Sequence, residues 1–436
     1  MRLAHNPFSP AFLDACDRLG LLVVDEAFDV WRVGMTANDY HLWFEKDWQE
    51  DLASMILRDY NHPSVILWAV GNEIMERDGQ SEGYAWAKKI IDFTKELDPT
   101  RAVDLAVCGL MDEVTGELAM GNLGANLTVD VIDPNNDRWA DKTEKFLEAA
   151  DVVGYNYLNS RYEYDATRFP NRIIMGTESY ASTQYDNWVS TVKNQNVVGD
   201  FVWTAIDYLG EVGVGRVEIN KEVGYLGASY PWFYANVGDM DVCGFKHPQS
   251  YFRDVLWGNR KKTYIGVLPP DYYGQSINYL PWGWEPVENH WSFPEHEGKP
   301  TRVDVYSDAD EVELVINGIS QGRKPAGADV KLTASFDVMY SAGTIEAIAY
   351  EDGIESARET LKTTGAPVSV KLTVDRVSIE AEYGDLAYIT AKVVDKNGDS
   401  VSYAENDITF NVSGNGDLIA IGTGDPVSVV ITKILI

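Results

Sequence analysis

Residues 65–73 read VILWAVGNE, an uninterrupted apolar run that closes on the pair Asn72-Glu73. A short, β-branched run without alternation is the pattern of a strand buried on both faces, as in a parallel sheet. Comparable runs stand at 21–28 (LLVVDEAF), 101–107 (RAVDLAV), 151–157 (DVVGYNY), 172–179 (RIIMGTES) and 197–207 (VVGDFVWTAID). Helix signals separate them. Ser9 can cap a helix with Pro10 at its first position and Gly20 at its stop. Further helices are expected over 38–60 and 81–97. Repeated strand and helix units mean an α/β fold, either doubly wound or a barrel. The ends of the runs choose between them: Asp25-Glu26, Asn72-Glu73, Asn156-Tyr157, Glu178, Trp203 and Asp207. A barrel delivers every strand's C-terminal end to one mouth, whereas an open sheet gathers only those at its switch point. The segment 210–215 (GEVGVG) has neither the spacing of a dinucleotide loop nor a helix after it. The expectation is an α/β fold built on a TIM (β/α)8 barrel.

Past the barrel region, 1–265, the texture changes. Residues 267–300 are rich in Pro, Tyr and Trp and read as a connector that packs on something. Strand-like runs follow at 302–307, 311–316, 332–338 and 344–350, with Asn317-Gly318 as a hairpin signal. A β-sandwich domain with its connector is therefore expected over 266–365. A second, incomplete immunoglobulin-like sandwich is expected over 366–436, with strands at 368–374, 388–394 and 408–412. Trp282, Trp284 and Trp291 are read as packing between domains.

Composition narrows the partners. The chain has 436 residues, with 36 Lys+Arg against 68 Asp+Glu and a net charge of -32. So acidic a chain is a poor ligand for nucleic acid or an anionic membrane surface. With 45% hydrophobic residues it can build packed cores. Cys16, Cys108 and Cys243 form neither a disulfide framework nor a zinc motif. No run of eighteen apolar residues is present, and the first residues do not read as a signal peptide.

Two carboxylates stand out at strand ends, Glu73 and Glu178. A pair at one mouth, one able to protonate a leaving oxygen and one facing the anomeric carbon, is what glycosidic bond cleavage needs. The surrounding segments resemble glycoside hydrolase family 2, the β-galactosidase and β-glucuronidase group: 2–7 (RLAHNP), 9–31 (SPAFLDACDRLGLLVVDEAFDVW), 58–74 (RDYNHPSVILWAVGNEI), 175–179 (MGTES) and 201–207 (FVWTAID). Residues 291–300 and 305–318 look like the sandwich that follows the barrel in some bacterial β-galactosidases.

The resemblance implies roles. Glu73 would be the general acid/base and Glu178 the nucleophile of a retaining reaction through a covalent glycosyl-enzyme. Asn72 would hold the sugar 2-hydroxyl, His5 would touch the sugar, and Arg2 would bond the nucleophile. Tyr157 would sit beside Glu178, and Trp203 would form an aromatic wall. Asp25 is placed with the substrate-binding residues, although Asp25 and Glu26 read equally as a buried ion-pair network. His62 reads as a structural turn residue. Where metal-dependent relatives carry ligands, this chain has Phe28, Asp29, Val30, Trp31 and Arg32, so no metal and no cofactor is expected. Asn220-Lys221-Glu222 misses the spacing that reads a uronic acid carboxylate. The expected substrate is a neutral β-galactoside or other β-linked oligosaccharide, with β-glucuronidase activity or a non-catalytic carbohydrate-binding role as alternatives and homo-oligomerisation left open. Relatives place further domains before the barrel, and this chain opens in the tail of the second barrel strand. It is accordingly read as a barrel lacking its first strands, impaired when alone, from a periplasmic or extracellular bacterial parent.

Overall fold

In the computed structural model the described residues are 1–109, 132, 135–224, 227–258, 263–381 and 384–428. Seven strands form one parallel sheet in chain order: β1 (Arg2–Leu3), β2 (Val23–Glu26), β3 (Val65–Asn72), β4 (Ala102–Val107), β5 (Val152–Asn156), β6 (Ile173–Ser179) and β7 (Val197–Val202). Flat, β1 and β6 would lie about 24 Å apart, since neighbours are spaced by about 4.8 Å. Instead Arg2 Nη1 on β1 reaches Glu178 Oε1 on β6 at 2.8 Å. The sheet is therefore curled as a barrel wall, with β1 and β7 as its two edges.

The strands alternate in a way the apolar runs conceal. Val23, Val65, Trp68, Val70, Leu105 and Tyr155 pack outward with the helices in the main core, together with Phe44, Leu52, Ile56 and Ile90. Val24, Leu67, Ala69, Val152 and Met175 form a separate interior cluster of smaller volume. Gly154 belongs to this tight interior, because a Cβ there would come within 2.8 Å of Ala106 Cα.

Helices cover the outside. Pro10–Leu19 starts as its sequence requires: the Ser9 side chain accepts from Phe12 N, Pro10 opens the helix, and Gly20 closes it at φ 69°. His41–Asp59 and Gly83–Leu97 fill the other expected stretches. Arg138–Leu147, Tyr162–Arg168, Gln184–Lys193 and Pro248–Leu256 are helices that the sequence reading did not single out. Among the described residues no helix is long and apolar enough to cross a membrane.

Two antiparallel sheets follow. Tyr264–Val267, Pro300–Tyr306 and Thr333–Met339 form one, and Ile319–Pro325, Glu311–Ile316, Thr344–Glu351 and Ile354–Lys362 the other. They enclose a core of Trp291, Phe293, Val303, Val305, Leu314, Phe336 and Ile345. Asn317 and Gly318, at φ 50° and 76°, make the hairpin turn. Tyr264–Val267 pairs with Pro300–Tyr306, so a sandwich strand runs across the boundary expected at 265/266. The 267–300 segment returns to the barrel, where Ile277–Asn278 pairs with Glu218–Ile219.

The last region departs from expectation. Ser369–Val374 and Ile389–Val394 pair as a two-stranded ladder, but 408–412 carries no strand and no second sheet faces the ladder among the described residues. Val370, Leu372 and Val374 are all exposed. The strand Ser369–Val374 is exposed along its whole length and so lacks the apolar contact that would draw further strands onto it. Asn126-Leu127-Thr128, which matches the short Asn-x-Ser/Thr glycosylation pattern as chance would allow, lies outside the described residues.

Candidate active site

Because all seven strands run parallel, their C-terminal ends meet at one rim. Arg2 is the hub. Its Nε pairs with Glu26 Oε2 at 2.7 Å and its Nη1 with Glu178 Oε1 at 2.8 Å, while Nη2 donates to Asn72 Oδ1 at 2.9 Å. Four strands are thereby tied through one buried guanidinium. The planar donor fork suits this arrangement better than a lysine's point charge would. His5 follows on β1's end, with Nδ1 2.8 Å from Glu26 Oε1 and Nε2 3.7 Å from Glu178 Oε1. Burial opposes a charged His5, but Glu26 outweighs it and raises the imidazole to about 9.

The two glutamates sit in opposite environments. Glu178 is 5% exposed, and its carboxylate accepts from Arg2 and from the Tyr157 hydroxyl at 2.7 Å. Glu73 has a different set of neighbours: its Oε1 accepts from Asn156 Nδ2 at 3.0 Å, and Arg77 donates to its backbone oxygen rather than to its carboxyl. Burial and, next, the Glu178 charge push Glu73 up to about 7. Asn156 Nδ2 also donates to Asn72 Oδ1 at 2.9 Å, and Asn156 Oδ1 accepts from Thr177 Oγ1 at 2.5 Å. Tyr157 stays a neutral phenol, since burial and the charges of Glu178 and Glu73 hold its proton well above the ordinary tyrosine range. Glu73 and Tyr157 both adopt left-handed backbone, φ 46° and 59°. Such conformations cost non-glycine residues about 1–2 kcal/mol each, and they aim both side chains back over the mouth.

An aromatic wall lines one side. His5 stacks on Trp203 at 4.9 Å and 8°, bridging the ends of β1 and β7. Trp203 Nε1 donates to the Tyr208 hydroxyl at 3.1 Å, and Tyr208 in turn bonds Glu211. Glu73, Glu178, Asn72, His5, Arg2, Tyr157 and Trp203 are thus brought together.

Asp25 is not among them. The pleat turns it outward while Glu26 points in, so Asp25 faces Asp59 and Arg58 of the helical layer. Burial, then Asp59, raise it to about 8. Its expected place with the sugar contacts is corrected to a position behind the wall, and Glu26 takes the inner position. Asp207 holds Gly238 N at 2.7 Å and His247 Nε2 at 3.0 Å, so it braces a loop. His62 pairs with Asp17 at 2.7 Å, as a turn residue does.

Three members were missed. Asp29 Oδ1 accepts from Asn72 Nδ2 at 3.3 Å, and burial raises its carboxyl. Burial likewise raises Glu211, whose next-largest influence is its bond from Tyr208. Both come from loops, where the sequence carries no periodicity to place them. Trp282, read as domain packing, instead donates to Tyr157 at 2.9 Å. The segment from Phe28 to Arg32 offers the mouth the Asp29 carboxylate: Phe28, Val30 and Trp31 are core residues and Arg32 pairs with Glu45.

Residues 1–226, more than half of the chain, match the family described as glycosyl hydrolases family 2, TIM barrel domain. Residues 298–357 match a domain of unknown function, and 370–433 match glycoside hydrolase family 2 C-terminal domain 5. A crystal structure of a glycosyl hydrolase family 2 member from Bacteroides cellulosilyticus is similar, at 40% identity and a TM-score of 0.79, over 92% of this chain and 48% of that one. A β-galactosidase of Bacteroides ovatus is 28% identical over 98% of this chain and 51% of its own length. A β-glucuronidase of Rattus norvegicus is 28% identical over 51% of this chain and 35% of its own length. The chain spans about half the length of the β-galactosidase it matches.

Proposed function

The chain belongs to glycoside hydrolase family 2, and from that premise we propose that its mouth cleaves terminal β-D-galactosides with retention of configuration. The observation that carries the reading is the unequal environment of the two glutamates. Glu178 is held by the Arg2 guanidinium on one oxygen and a tyrosine hydroxyl on the other, which fix its position. Glu73 is buried, raised to about 7, and so carries a proton near neutrality.

In the first step the Glu178 carboxylate attacks the anomeric carbon as Glu73 delivers its proton to the departing glycosidic oxygen. The carbon–oxygen bond to the aglycone breaks, and an ester to Glu178 forms. In the second step Glu73, now ionised, takes a proton from water. The hydroxide adds to the anomeric carbon and the ester bond breaks, restoring both groups. Asn72 accepts from Arg2 and Asn156 on its oxygen, which turns its amide nitrogen toward the sugar 2-hydroxyl. Trp203, stacked on His5, supports the apolar face of the ring.

A neutral sugar is favoured by charge. Arg2 is committed to Glu26, Glu178 and Asn72, and Arg77 to the backbone oxygens of Glu73, Ile74 and Gly109. Asn220 is engaged with Gln275 and Ser276. Asp29 and Glu211 bring acidic rather than basic side chains to the mouth, and the His5 imidazole, raised to about 9, is already paired with Glu26.

The test is reaction with a 2-deoxy-2-fluoro-β-galactoside bearing a good leaving group, followed by peptide mapping. The mass increment is expected on Glu178. A label elsewhere, or unchanged hydrolysis in Glu178→Ala, would overturn the assignment, the latter pointing to a different site. Preferential reaction with the glucuronide analogue would overturn the choice of sugar.

A further inference from the structure

We propose that Trp282 is a positioning residue for the nucleophile, fixing the Tyr157 hydroxyl so that its proton points at Glu178. The proposal rests on the reading of Glu178 as nucleophile given above. Trp282 stands 125 residues beyond Tyr157 in the chain, in the segment between the paired sandwich strands Tyr264–Val267 and Pro300–Tyr306 that folds back onto the barrel.

The chemistry of the three groups sets a direction. An indole N–H can only donate, whereas a phenol hydroxyl has one proton to give and lone pairs to accept with. Trp282 Nε1 donates to Tyr157 Oη at 2.9 Å, and Tyr157 donates to Glu178 Oε2 at 2.7 Å. With its oxygen already accepting from an indole that cannot accept in return, Tyr157 has Glu178 as the acceptor for its proton. The hydroxyl cannot turn away without facing a donor. Burial keeps water from substituting, since Trp282 is 4% exposed.

The packing makes the relay stiff. Tyr157 stacks on Tyr180 at 4.2 Å, and Trp282 meets both rings edge-on, at 5.6 and 5.0 Å. The Trp282 backbone is anchored by its neighbour, because Pro281 O accepts from Ser182 N at 3.2 Å and from Ser182 Oγ at 2.8 Å. Ser182 follows β6 closely, so the strand that carries Glu178 also holds the segment that carries Trp282. Segment and strand are therefore set as one unit.

The experiment measures Glu178 labelling by 2-deoxy-2-fluoro-β-galactosyl fluoride in the full chain, in Trp282→Phe, in Tyr157→Phe and in the double variant. Losing one buried hydrogen bond is expected to slow the maximal labelling rate about two- to tenfold in Trp282→Phe, with half-saturation unchanged. The double variant should be no slower than Tyr157→Phe alone, because the indole acts through the hydroxyl. Multiplying losses, or a changed half-saturation with an unchanged maximal rate, would overturn the proposal and leave Trp282 a packing residue. Labelling of another residue would instead defeat the nucleophile assignment. A second measurement needs neither turnover nor a Trp282 variant. The Trp282 indole resonance, in a chain labelled with 15N-tryptophan, should shift markedly in Tyr157→Phe, and an unmoved resonance would refute the contact.

Discussion

Glu178→Gln tests the electrostatic coupling at the heart of the site. The substitution keeps shape and removes one charge. Glu73 is raised to about 7 by burial first and by the Glu178 charge second, against an ordinary value of 4.5. Two unit charges at the separation of about 5.5 Å expected for a retaining pair interact by about 3 kcal/mol at an effective dielectric of about 20. That is about 2 pKa units at about 1.4 kcal/mol each. Burial persists in the variant, so Glu73 should titrate between about 5 and 6, below the original value of about 7 but above 4.5. The sign is opposite to that of a lost ion pair, because removing a like charge makes ionisation easier. The assay is 13C NMR titration of the chain labelled at the glutamate δ carbon, with the Glu73 resonance assigned by its loss in Glu73→Gln. An unmoved midpoint would refute the coupling, and with it the close pairing of the two carboxyls on which the retaining reading depends.

Glu73→Ala should lower hydrolysis of an alkyl galactoside by about 10²–10⁴-fold, and that of a galactoside with an acidic phenol far less, because the better leaving group needs no proton; added azide should restore the second step and yield the β-azide, detected by NMR of the product. Asp25→Asn should raise the melting temperature, with a gain that grows as pH rises from about 4 to about 8 and then levels. A carboxyl raised to about 8 on folding contributes stability that is lost as pH rises through that value, and the amide has no such loss; a pH-independent gain would refute the assignment. The isolated chain is expected to turn over a chromogenic β-galactoside weakly, since β1 and β7 each pair with a single neighbour among the described residues. Robust turnover would show that seven strands suffice to hold the mouth.

The legible part of the site was the part carried by strands. Asn72-Glu73, Asn156-Tyr157 and Glu178 interrupt apolar runs with polar groups, and a parallel sheet turns such interruptions into a shared rim. Ser9, Pro10 and Gly20 marked a helix because each satisfies a backbone need at its own position. Asp25 and Glu26 show where this legibility stops. Two adjacent acids in an apolar strand look alike, and only the register Leu3↔Asp25 with the pleat beside it decides which enters the mouth. The expected strand over 408–412 failed for a related reason: its composition suits a strand, but among the described residues Ile408 and Val412 are exposed and no ladder forms there.

By itself the sequence determined the strand order, the α/β class and the pair of carboxylates, because apolar periodicity and turn chemistry act over a few residues. The tertiary structure decided that Glu73 is the carboxyl raised, by burial and by the Glu178 charge, since both depend on groups far apart in the chain. It also decided that Asp29, Glu211 and Trp282 join the mouth, where the curl of the sheet carries Arg2 to Glu178 and the returning connector carries Trp282 to Tyr157.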